Sequence, residues 1–269
     1  MPDTTPSTAP KPTVRLLLHL ARTGGTIISK CLAVMPNVAL LSEIHPMGLK
    51  MFNPLRQAHE WFGLLTPQDI EGFRQARRME FADAIDLARR RCEERGLKLV
   101  IREWNHLDFH GMPYVPDPPH KLMTTELLSP RFRLLRYCTV RHPIDHWISL
   151  NNVAVVHDKL TLEQFLTGCL EFAEHAVKIG FVRYEDFTRD PAPAMRTICT
   201  ALEIDFDPTF EQKWTSYKKI TGDRAGSRGG VEKIVALARK PVEAGLVERF
   251  ERNAAYQKTL ALLGYNHPE

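Results

Sequence analysis

The stretch HLARTGGTIIS, residues 19–29, is built to meet an anion. Arg22 precedes the turn Thr23-Gly24-Gly25-Thr26. Apolar residues lead in from Leu16, and apolar residues at helical spacing follow. Glycine lets a backbone turn tightly and approach a ligand with no Cβ in the way. The amides of Gly24, Gly25 and Thr26 would open a helix, where unpaired N–H groups and about half a positive charge converge. Thr23 and Thr26 add hydroxyls, and Arg22 adds a planar fork that keeps its charge near neutral pH. The ATP-binding loop does a related job with a lysine after its glycines; that lysine is missing here.

A second set of residues answers the first. LLRYCTV, residues 134–140, reads as a strand, and Arg141 emerges at its C-terminal end. Ser149 follows eight residues later, two helical turns along the next helix and on nearly the same face. Ligands of open α/β sheets bind beyond the carboxyl ends of strands, so Arg141 should stand at the same edge as the glycine turn. An arginine fork with a serine hydroxyl makes a good phosphate site.

The elements that must position these groups alternate between apolar strands and helices. The expected class is α/β, a mostly parallel central sheet flanked by helices in a three-layer sandwich like that of P-loop nucleoside triphosphatases. Strands are expected at 14–20, 38–41, 97–102 and 134–140, with VKIGFVRY, 177–184, as a fifth. Residues 45–95 read as a charged helical insertion between strands two and three, a candidate lid or acceptor-binding segment. Its Arg89-Arg90-Arg91 run should face solvent. Thr161 with Gln164 forms a capping box. Asp190-Pro191 and Asp207-Pro208 each pair a cap with a first-turn proline. Residues 241–263 read as one amphipathic helix. The first 13 residues read as a disordered Pro/Thr tail, which leaves 14–269 as a single domain.

Composition narrows the class. The 269 residues carry a net charge of +4, which suits an anionic ligand but not nucleic acid. Five widely spaced cysteines form no CxxC pair, so a reducing cytoplasm is expected. No apolar run is long enough to cross a membrane.

These motifs resemble the sulfotransferase superfamily that uses 3′-phosphoadenosine 5′-phosphosulfate (PAPS). There a strand, a loop of the type Lys/Arg–Ser/Thr–Gly–Gly/Thr–Thr and a helix bind the 5′-phosphosulfate. The resemblance assigns that role to Arg22, Thr23, Gly24, Gly25, Thr26 and Ile27. Arg141, Pro143 and Ser149 match the 3′-phosphate motif in residue type and spacing. VRYEDFTRDP, 182–191, resembles a segment whose tyrosine lies near the adenine, which suggests Tyr184. TGDRAGSRGG, 221–230, resembles a loop closing over the 3′-phosphate and puts forward Arg224, Ser227 and Arg228. The implied products are a sulfated acceptor and adenosine 3′,5′-bisphosphate (PAP), with no metal required. The implied partner is a small-molecule or carbohydrate acceptor with a hydroxyl or amine, and a homodimer is compatible with the family.

Sulfuryl transfer resembles phosphoryl transfer: align the partners and neutralise charge on the leaving phosphate. The acceptor then needs a base. Glu43, past strand two, and His106, past strand three, are equal candidates, and Asp108 is a lesser one. His106, Asp108 and His110 alternate in HLDFH, so an extended segment would set all three on one side as a metal set. No second ligand cluster accompanies them. Two competing readings are a P-loop kinase of small metabolites and a non-catalytic nucleotide-binding protein on the same fold.

Overall fold

A computed structural model describes residues 10–75, 79–222, 233–236 and 241–268. Five strands, β1 (Thr13–His19), β2 (Val38–Ile44), β3 (Lys98–Glu103), β4 (Arg133–Val140) and β5 (Phe181–Arg183), form one sheet in the order β2-β3-β1-β4-β5. Every pairing is parallel. Val14, Leu16, Leu17 and Leu18 are fully buried, as a strand covered on both faces requires. Leu17 lies in register with Arg102 on one side and Tyr137 on the other. The register aligns the carboxyl ends of β1, β3 and β4 at one edge.

The helices are α1 (Gly25–Ala33), α2 (Pro54–Phe62), α3 (Pro67–Gln75), α4 (Phe81–Glu93), α5 (His106–Phe109), α6 (Met123–Leu128) and α7 (Pro143–Asn151). They continue with α8 (Leu162–Ile179), α9 (Tyr184–Arg189), α10 (Pro191–Ala201), α11 (Phe210–Lys213), α12 (Ala244–Glu251) and α13 (Ala254–Leu263). One face of the sheet packs Leu16, Leu18, Ile101 and Cys138 against α4, α8 and α13. The other packs Leu17, Leu40, Val100 and Tyr137 against α1, α9 and α10. The result is the three-layer α/β sandwich. All five cysteines are buried, and among the described residues none forms a disulfide. Among the described residues no helix is long and apolar enough to cross a membrane.

Several boundaries differ from the sequence reading, each for a local reason. Val177–Ile179 belong to α8, whose apolar stripe Phe165, Leu166, Cys169, Phe172, Ala173 and Ala176 runs on after the Thr161–Gln164 capping box. The fifth strand keeps only three residues. The C-terminal segment is two helices, because the Asn253 side chain accepts from the amides of Ala255 and Tyr256 and starts α13 anew. Asp207 accepts from the amide and hydroxyl of Thr209 and caps a turn, while α11 starts at Phe210. Asp190 precedes α10 but makes no side-chain cap bond. Residues 45–95 contain the β2-to-β3 crossover: α4 buries Ala84, Ile85, Leu87, Ala88 and Cys92 in the core. Arg89 is buried too, bonded to Asp86 at 2.8 Å and Glu93 at 2.5 Å, so it does not face solvent. Residues 1–9 of the expected tail lie outside the described residues.

Candidate active site

β1 ends at His19, and the next five residues make the turn. Thr23 donates its hydroxyl to Leu20 O at 2.7 Å and is buried. Its proton therefore holds the loop rather than pointing outward. Arg22 takes a left-handed backbone, φ 69°. Gly24 caps α1 with φ 87° and no side-chain cap bond, which leaves the first amides of α1 uncapped by any side chain. Both glycines are also demanded by packing. A Cβ on Gly24 would lie 2.1 Å from the Tyr184 ring, and one on Gly25 would lie 2.0 Å from the His19 ring.

The distant motif arrives at this loop. Pro143 opens α7 after the His142 cap, and Ser149 two turns on accepts from Arg22 Nε at 3.2 Å. Arg141 Nη1 donates to Arg22 O at 3.1 Å, and its guanidinium lies 5.0 Å over the Tyr184 ring. Arg141 Nε is buried without a hydrogen-bond partner. Among the described residues neither arginine pairs with a carboxylate. Desolvation of its guanidinium, then the charge of Arg141, lowers the Arg22 pKa, although the residue as a whole is exposed. Two uncompensated cations beside uncapped helix amides form a site for an anion. Thus Arg22, Gly24, Gly25, Arg141, Ser149 and Tyr184 come together, with Thr26 and Ile27 in the first turn of α1. Arg224, Ser227 and Arg228 lie outside the described residues.

Arg102 is a hub that the sequence analysis did not single out. At the end of β3 it is buried and donates to His19 Nε2 (2.6 Å), Ser42 Oγ (3.0 Å), Thr221 O (3.0 Å) and Thr26 Oγ1 (3.1 Å). Burial, then the Arg102 charge, holds the His19 pKa well below the usual histidine value. His19 therefore stays neutral and accepts at Nε2. Thr221 is latched again by Ser42 Oγ at 2.8 Å. A Cβ on Gly222 would lie 3.4 Å from Glu43 Oε1 and 3.8 Å from Thr26 Oγ1. No sequence signal separated Arg102 from an ordinary strand-end arginine, because its partners come from four separate segments.

The base candidates part company. Glu43 lies inside β2, which runs to Ile44, rather than past the strand. The register shifts between Ser42 and Ile44, and Glu43 has φ 56°. Its carboxylate, partly open, is 3.6 Å from Arg102 Nη2. Non-glycine residues held in this region cost about 1–3 kcal/mol and cluster at functional sites. His106 is buried, and its Nε2 donates to Met112 O at 2.7 Å. Its Nδ1 is buried without a partner. Burial lowers its pKa; the Met112 bond and the Glu43 charge offset this only in part.

Asp108 is fully buried and accepts from His45 Nε2 at 2.9 Å. The Met47 amide donates to His45 Nδ1 at 3.2 Å, which fixes the His45 proton on Nε2. Asp108 is therefore an anchor for the His45 turn. HLDFH is not extended: His106–Phe109 form α5. His110 turns instead to Phe165 O and the Cys169 thiol. Among the described residues no group of three or more His, Cys, Asp or Glu side chains could hold a metal ion.

No protein-family model matches the chain, and no curated protein matches it in sequence. Solved structures do match. A sulfotransferase domain from the curacin biosynthetic pathway aligns with a TM-score of 0.63 at 13% identity, over 97% of this chain and 100% of its own. The mouse sulfotransferase SULT7A1, solved with PAP, aligns at 0.41 and 14% identity over 97% of this chain and 80% of its own. Sulfotransferase STF1 from Mycobacterium tuberculosis aligns at 0.39 and 13% identity over 78% of this chain and 72% of its own. On the first of these, the chain has a sulfotransferase fold.

Proposed function

We propose that the protein is a PAPS-dependent sulfotransferase acting on a hydroxyl or amine. One observation carries the reading: Arg22, Arg141, Ser149 and Tyr184, far apart in sequence, meet at the uncapped start of α1. Two uncompensated arginines and the buried, unpartnered Arg141 Nε fit a nucleotide with phosphate at two positions.

In this reading PAPS supplies a sulfuryl group on a good leaving phosphate. Arg22 and the amides of Gly25, Thr26 and Ile27 hold the 5′ end and offset charge as the bridging S–O bond breaks. Arg141 and Ser149 hold the 3′-phosphate. Tyr184 offers an aromatic face to the adenine. Glu43 takes the acceptor's proton as the acceptor oxygen or nitrogen bonds to sulfur, and PAP leaves. Glu43 is favoured over His106 because its carboxylate reaches the site edge, whereas His106 is buried with Nε2 committed to Met112. Arg102 positions Glu43, Thr26 and the Thr221 latch. The five buried cysteines, with no CxxC pair among them, suit a reducing cytoplasm.

The test is acceptor-dependent release of PAP from sulfur-labelled PAPS across a panel of alcohols, phenols, amines and sugars, with Arg22→Ala as the control. Label transfer by the wild type, abolished in Arg22→Ala, supports the proposal. Equal turnover by both proteins overturns it.

A further inference from the structure

We infer that the acceptor has an apolar body, an alkyl or aryl alcohol rather than a sugar, seated on a wall of Met47, Met51, Phe52, Trp104 and Tyr114. The inference rests on the sulfotransferase reading and deepens it. Trp104 directly follows β3, and its amide donates to Ile44 O at 3.4 Å. That bond sets the Trp104 backbone beside the end of β2, one residue past Glu43. The backbone of Gly48 lies against it: a Cβ there would be 2.9 Å from Trp104 Cε3. Phe52 meets the indole edge-on at 5.0 Å, and Tyr114 meets it tilted at 5.3 Å. The turn that carries Met47 and Met51 is tied by Gly48 N to His45 O and by Met51 N to Gly48 O, both at 2.9 Å.

Part of the wall is open to solvent, while Trp104 is buried and Phe52 partly buried. Seven large apolar side chains are exposed among the described residues, and Met47 (43%), Met51 (45%) and Tyr114 (46%) are three of them. Grouped exposed apolar side chains mark a ligand surface more than single ones do. The chemistry at this place is also one-sided. His45 is bonded to Asp108 and Met47 N, Asn105 to Glu103, and His106 to Met112 O. Most of these polar atoms are committed inward, and the two without a partner, His106 Nδ1 and Glu103 Oε1, are themselves buried, so a hydroxyl-rich sugar would gain few partners for the water it loses. Thioethers and aromatic edges adapt well to an alkyl or aryl body. Glu43, whose neighbour Ile44 accepts from the Trp104 amide, would meet the one hydroxyl such a molecule presents.

The experiment is calorimetric titration of the whole chain with 4-butylphenol and with N-acetylglucosamine, each with PAP present, alongside a titration with PAP alone. Tyr114→Asp with Met51→Glu is the variant; both positions are exposed, so the fold should tolerate them. The expected result is saturable 4-butylphenol binding that weakens at least about tenfold in the variant, PAP binding unchanged, and no saturable sugar binding. Sugar binding without phenol binding, or phenol binding indifferent to the variant, overturns the inference. Failure of PAP to bind sinks the sulfotransferase reading separately, since the phenol titration reads the wall directly.

Discussion

Gly24→Ala is the substitution that the loop geometry constrains most. Two costs arise there. At φ 87° an L-residue gives up about 1–2 kcal/mol. The new methyl would sit 2.1 Å from Tyr184 Cδ2, and forcing apart a packed ring costs about 1–3 kcal/mol. The expected loss is about 2–5 kcal/mol, out of the roughly 5–15 kcal/mol that stabilises a typical domain. The ring cannot swing aside freely, because Tyr184 is buried and lies under Arg141. A double-mutant cycle with Tyr184→Ala separates the two costs. Removing the ring relieves the clash and leaves the backbone cost, so the two losses should fall short of additive by about 1–3 kcal/mol. Urea unfolding followed by circular dichroism reads all four proteins. Gly245→Ala is the control: it lies in α12 with nothing within 4 Å, and should be neutral or gain up to about 1 kcal/mol. A Gly24→Ala protein as stable as the wild type, or additivity within about 0.5 kcal/mol, would refute the packing of the loop against Tyr184.

Two further outcomes follow from the site. Glu43→Gln should lower kcat by about 10²–10⁴ while PAP affinity holds, and His106→Asn should cost far less; near-wild-type turnover in Glu43→Gln removes it as the base. Stability should peak at about pH 7. Burial holds the His19, His106 and His110 pKa values below the usual range and that of His146 near about 3. Their contribution is complete above pH 6.5 and is lost as pH falls, because the unfolded chain takes up the protons. Burial and then the Asp108 charge push Glu103 up to about 8; its contribution is complete below its unfolded value near 4.5 and is lost as pH rises to 8. Four groups outweigh one on the acid side. Urea midpoints that stay flat from pH 6.5 to 5 would contradict this.

The anion loop and its distant partner were legible because each is a local pattern at a strand end, and a parallel sheet brings strand ends to one edge. The crossover helices and the capping box were legible from period and caps. The Arg102 hub was not: hydrogen bonds from β3 to His19, Ser42, Thr26 and Thr221 leave no spacing to read. The His45–Asp108 pair spans 63 residues for the same reason. Glu43 was misplaced because VALLSEI continues as strand through a register shift that only the pairing with β3 reveals. Val177–Ile179 read as strand because a short β-branched apolar run fits either period, and eighteen residues of continuous helix decided it.

The proposed function stands or falls on whether this loop holds a 3′,5′-bisphosphorylated adenosine. Thermal unfolding with PAP or with ADP, at matched concentrations, tests it most directly. PAP should raise the midpoint, with about 2.7 kcal/mol of stabilisation at a hundred times its Kd, Arg141→Ala should remove the effect, and ADP should give none. Stabilisation by ADP equal to that by PAP, or no shift with PAP, would contradict it.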